Sequence, residues 1–129
     1  MSIRIVASAF VILLALAGCR QNPVYVPQGM TLTAPIADLS AVRTGIERAG
    51  KVSKWEIEFT GETSAIARRN FKNKHFAEMD LTFDGAGFSL VHRSARNFNY
   101  DGKYAHPTYN RFVKDLEDAI GYEYRQLSK

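Results

Sequence analysis

Four carboxylates, Glu56, Glu58, Glu78 and Asp80, stand in two pairs, each pair separated by one residue. In a strand that spacing puts both members of a pair on one face. Two carboxyl groups with pKa values driven apart can act as acid and base on a glycosidic bond, such as that of a cell-wall glycan. The same pairs also describe a solvated sheet face on which Arg68 or Arg93 answers them across strands. No neighbouring sequence builds a deep apolar pocket that would raise one pKa. The solvated face is therefore the preferred reading, and no catalytic residue is assigned.

The densest basic run is Arg68, Arg69, Lys72 and Lys74, with His75 beside it and Phe71 and Phe76 interleaved. Such a run can hold an anion, and aromatics among cations can also hold nucleic acid. It equally suits a hairpin tip and edge kept soluble by charge. His75, His92 and His106 are the only histidines, and none of them forms a close pair of metal-ligand spacing. No metal site and no cofactor are expected. "GFSLV" at 87–91 lacks the second glycine of a nucleophile elbow, and "GAG" at 85–87 lacks the third glycine of a dinucleotide loop. Both stretches belong to a hairpin.

The elements that position these residues follow from periodicity. Leu39, Val42, Ile46 and Ala49 recur at helical spacing, with Pro35 near the start and Gly50 just beyond the end. Trp55, Ile57 and Phe59 alternate with Glu56 and Glu58 as a half-buried strand, Thr60-Gly61-Glu62 turns, and 63–69 pairs back. His75, Ala77, Met79, Leu81 and Phe83 form the inner face of a third strand. Asp84 to Gly87 makes a hairpin loop, and Phe88, Leu90 and His92 mark the inner face of a fourth. Tyr109, Phe112, Val113, Leu116, Ala119 and Ile120 make a helical stripe opposed by Arg111, Lys114, Asp115, Glu117 and Asp118, with Gly121 weakening its end. The expected fold class is α+β: an N-terminal helix, a four-stranded antiparallel meander and a C-terminal helix, both helices on one face of the sheet.

The first residues concern location. A positive start with Arg4, an apolar run from Ile5 to Ala17, and Gly18-Cys19 have the layout of a signal peptide. The run falls short of the roughly 20 apolar residues of a membrane span. Residues 1–18 are thus read as a signal peptide, and 19–35, rich in Gln, Asn, Pro and Gly, as a lipidated N-terminus and flexible tether. Residues 36–129 are read as one small domain. Leu16-Ala17-Gly18-Cys19 resembles the lipobox of bacterial lipoproteins. The resemblance implies that the signal is cut before Cys19, whose sulfur and new amine are acylated. Two or more acyl chains anchor a protein stably. Arg20, where aspartate would favour inner-membrane retention, implies the periplasmic face of the outer membrane, with the inner membrane as the alternative. Cys19 is the only cysteine, so its lipidation leaves the mature chain without thiol chemistry.

A second resemblance lies in "LVHRSARNFNYDGKYAHPTYNRFVKDL", 90–116. It is similar to small envelope lipoproteins of Gram-negative bacteria whose pattern runs Ile-x-Tyr-x-Asp-Ser-x-Asn-Leu-x-Tyr, then Ile-His-x-x-Tyr-Asn-x-Trp-Val and a Leu. Asn97, Tyr100, His106, Tyr109, Asn110, Val113 and Leu116 match, and upstream Trp55, Gly61 and Ala65 fit. Ser94-Ala95 stands in place of Asp-Ser, His92 of a tyrosine, Phe98 of a leucine, Ala105 of an isoleucine and Phe112 of the tryptophan. The resemblance implies an envelope role and no reaction.

In 94–110, Asn97, Asn110 and His106 are expected to satisfy loop backbone, with Tyr100 and Tyr109 sealing the core edge. A partner contact by Asn97, Tyr100, His106, Tyr109 and Asn110 is the other role open to them. A non-catalytic envelope module is the expected function; a cell-wall enzyme or enzyme inhibitor is the second. The candidate partners are the membrane, through the lipid, and an envelope protein, peptidoglycan or lipopolysaccharide. A periplasmic address argues against nucleic acid.

Overall fold

Period-two burial organises the sheet. Ala65 and Ala67, then Ala77, Met79, Leu81 and Phe83, then Phe88 and Leu90 all point to one side and are buried. In the computed structural model, which describes residues 21–129, these belong to β4 (Ser64–Phe71), β5 (His75–Asp84) and β6 (Gly87–Arg96). With β3 (Glu56–Gly61) they form the antiparallel meander that the alternation predicts. A register shift lies between Glu78, paired with Ser94, and Met79, paired with His92. The extra residue, Arg93, returns Ala95 to the core side.

Two helices complete the core, α1 (Leu39–Ser53) and α2 (Pro107–Leu127). Val42, Ile46 and Ala49 of α1 join Phe112, Val113, Leu116 and Ile120 of α2 in one cluster with the inner face of the sheet. Asp38 caps α1 by accepting from the Ala41 amide at 3.2 Å. The indole of Trp55 donates to the Phe112 carbonyl at 3.0 Å, tying the exit of α1 to α2.

The fold class is α+β with antiparallel sheets, and the layout differs from the expected one in three ways. First, two strands precede α1. The larger sheet has five strands in the order β2-β6-β5-β4-β3, with β2 (Met30–Thr31) at one edge and β3 at the other. A second, two-stranded sheet pairs β1 (Asn22–Pro23) with β7 (Tyr104–Ala105). Residues 22–31, expected to be flexible tether, are therefore a strap bonded along the domain. Secondly, α1 runs through Gly50 to Ser53. Gly50 serves there because a Cβ would collide with Ile57 and the Trp55 carbonyl. Thirdly, α2 continues past Gly121 to Leu127, because Tyr124 extends its buried stripe. The proposed signal peptide and Cys19 lie outside the described residues. Among those described, no helix is long and apolar enough to cross a membrane.

Candidate functional site

The connection 97–110 is built from groups that bond to their own chain. Asn97, in the left-handed region at φ 63°, donates its side-chain amide to the Lys74 carbonyl, and its own carbonyl meets His75 Nδ1 at 2.6 Å. His106 caps α2 through Nδ1, which accepts from the Thr108 amide at 3.1 Å. Asn110 holds the strap twice: Oδ1 accepts from the Tyr25 amide at 2.8 Å, and Nδ2 donates to the Pro23 carbonyl at 2.9 Å. Tyr109 is buried at 1% exposure, with its hydroxyl 2.7 Å from His92 Nδ1. Tyr100 stacks on the His92 ring, centroids 3.7 Å apart and planes 12° from parallel. All five motif residues are thus engaged within the fold.

Burial lowers the pKa of His92, while burial first, and then Tyr100, raises that of Tyr109. His75 and His106 line one small cavity of about 160 Å³ with Phe71 and Phe98, while His92 packs on Tyr100 and Tyr109. Among the described residues, no group of three or more His, Cys, Asp or Glu converges as a metal site would require.

The carboxylates come together on the open face of the sheet, and three of the four are matched by arginine as the cross-strand reading expects; Glu56 lies opposite Arg68 in register but is in no ion pair among the described residues. Arg68 bridges Glu58 and Glu78, and Arg93 reaches Asp80 at 3.0 Å. The Ser94 hydroxyl, followed by Arg68, holds the Glu78 carboxyl below its usual range. A general acid at neutral pH needs the opposite shift. Ile66 and the 60% exposed Val91 flank Asp80 in register, which gives this face an apolar spot among its charges.

The basic run does not form a single patch. Arg68 and Arg69 are consecutive in β4 and so project to opposite sides. Arg68 enters the ion-pair ladder, whereas Arg69 lies over the Phe112 ring at 4.2 Å, its Nε buried without a partner among the described residues. Lys72 and Lys74 belong to the β4–β5 turn and are exposed. Arg69 also lines a groove of about 630 Å³ between α1 and α2, with Val52, Phe112, Asp115 and Tyr122.

Two buried carboxylates escape a reading based on sequence. Glu123 is 5% exposed, pairs with Arg48 at 2.8 Å and packs against Gly45. Glu117, expected on the solvent side of α2, is only 9% exposed and clasps the strap. It accepts from the Tyr25 hydroxyl and, at 3.0 Å, from the Gly29 amide. That hydrogen bond is the main cause of a Tyr25 pKa pushed up to about 12. At Gly87 a Cβ would overlap the Met30 carbonyl oxygen, so glycine there lets the strap reach the sheet edge.

The Tyr25 shift sets an alkaline limit. A tyrosine whose folded pKa exceeds its unfolded value stabilises the fold fully below pH 10, and loses that contribution as pH rises through about 12. Tyr25→Phe should therefore flatten part of the stability decline over that window, read by urea unfolding at a series of pH values. Tyr109 and Tyr124 are raised as well and will keep the remaining slope. His92 sets the acid side: its depressed pKa gives stability that is present above pH 6.5 and lost as pH falls through the folded value.

No protein-family model and no curated protein sequence matches this chain.

Proposed function

We propose that the chain is a bacterial envelope lipoprotein, anchored through Cys19 at the periplasmic face of the outer membrane. Its domain would be a non-catalytic module that engages another envelope component. The observation that carries this reading is how the polar groups most able to do chemistry are used. Asn97, His106 and Asn110 bond to backbone of their own chain. Glu58, Glu78 and Asp80 are each answered by arginine. The open sheet face, with Ile66 and Val91 inside that ion-pair ladder, is the contact surface assigned here.

Acyl labelling in cells should mark the parent and be abolished by Cys19→Ala. Protein purified from membranes should co-sediment with sacculi, or crosslink to a partner from a photoreactive group at Val91. Release of soluble muropeptides during the sacculus incubation would overturn the non-catalytic reading and favour a wall-acting enzyme.

A further inference from the structure

The strap brings together two features that are far apart in the chain. β1 pairs with β7 at Asn22↔Ala105, and the Val24 amide donates to the Lys103 carbonyl at 3.0 Å. Through the 97–106 connection this end of the strap adjoins the β4–β5 turn, because Asn97 bonds the Lys74 carbonyl and His106 bonds that of Phe98. The Phe71 and Phe112 rings, 5.2 Å apart, seat the same turn on the first turns of α2. Lys72, Lys74, Arg96, Lys103 and Arg111 are therefore gathered at one end of the domain, all of them exposed. Among the described residues none of the five is in an ion pair. The one carboxylate in the 97–111 connection, Asp101, is turned onto the Lys103 and Tyr104 amides. The N-terminus of α2 adds its positive dipole end there. The opposite end of the sheet carries Asp38, Glu62 and Asp84 near the turns.

Cys19 stands three residues before Asn22 in the sequence, a span of at most about 10 Å. That distance matches the Debye length of roughly 8–10 Å at physiological ionic strength, within which a negatively charged leaflet attracts cations. We propose that this basic end is a membrane-docking surface, seated on anionic phospholipid headgroups of the leaflet that holds the Cys19 anchor. The open sheet face and the α1–α2 groove are then presented sideways, free of lipid. The inference rests on the lipoprotein reading above and adds an orientation and a lipid preference.

The test uses the acylated protein, purified from membranes and inserted into phosphatidylcholine vesicles with or without phosphatidylglycerol. With Cys19 acylated, a fluorophore goes only to an introduced thiol, Tyr104→Cys at the basic end or Glu62→Cys at the far end. Headgroup-borne quencher should quench the label at 104 and not that at 62, and only where phosphatidylglycerol is present. High salt should remove the difference. Lys74→Glu with Lys103→Glu should lower the seated population by about tenfold or more. If that double variant does not fold, the salt series on the parent protein carries the test. Equal quenching at both positions, or quenching indifferent to phosphatidylglycerol, overturns the orientation while leaving the lipoprotein reading intact. Protein whose intact mass lacks the acyl groups overturns the anchor, and this inference with it.

Discussion

Tyr109→Ala should lower the melting temperature further than any other single change in the 97–110 connection. The ring is buried at 1% exposure, between Phe98 at 5.8 Å and Tyr100 at 5.3 Å, and its hydroxyl meets His92 and the Met79 sulfur. Large aromatic truncations in a core cost about 3–5 kcal/mol through lost burial and the cavity left behind. At roughly 4 °C or more per kcal/mol for a domain of this size, the melting temperature should drop by at least about 12 °C. Tyr109→Phe separates the ring from the hydroxyl. It keeps the packing, leaves His92 without its partner, and should cost only about 1 kcal/mol. Calorimetry on the three proteins decides the role of the motif. An alanine variant as stable as the parent would show that Tyr109 serves recognition instead of packing.

Glu117→Ala should free the strap while leaving the meander and both helices in place. Hydrogen bonds to charged acceptors contribute about 1.5–3 kcal/mol each, and Glu117 accepts two across the strap, from Tyr25 and Gly29. Both donors can turn to water once the strap lifts, so the net loss should be about 2–4 kcal/mol. The distinguishing readout is local. Amide exchange at Gly29, Met30 and Leu32 should accelerate far more than exchange at Met79 or Leu81. A variant whose strap amides stayed as protected as the core strands would show that the clasp is incidental.

The meander and the helix stripes were legible in the sequence because their patterns are local. Alternation from His75 to Phe83, the Asp84–Gly87 turn and the stripe from Tyr109 to Ile120 each need only neighbouring residues to be read. The carboxylate–arginine ladder was legible for the same reason, since cross-strand partners follow once the hairpins are placed. The strap was not. Its strands are two residues long, and its bonds run to Asn110 and Glu117, 85 to 92 positions away. Pro23, Pro27 and Gly29 look like linker chemistry when nothing nearby pairs with them. Glu117 carried a usable signal. It lies four residues after Val113 and three before Ile120, on the buried stripe, where a carboxylate needs an internal partner. The basic run misled for a different reason. Counting cations along the chain ignores that Arg68 and Arg69 leave a strand in opposite directions.

The strap also sets an order of events. Its partners Glu117, Asn110 and Tyr104 emerge well after the strap itself from any machinery that delivers the chain from its N-terminus, Asn110 and Glu117 lying 85 to 92 positions later. β6 and β7 can pair with the ends of the strap before α2 forms, but until then its middle lacks the bonds that Asn110 and Glu117 give to Pro23, Tyr25 and Gly29. Closing a loop of this length is slow relative to hairpin formation, because long-range contacts must first overcome chain entropy. An enzyme acting at Cys19 during delivery would therefore meet an accessible chain. The same enzyme arriving after folding would meet a paired strand three residues from its target. On the lipoprotein reading proposed above, completion of α2 and closing of the strap would therefore narrow access to Cys19.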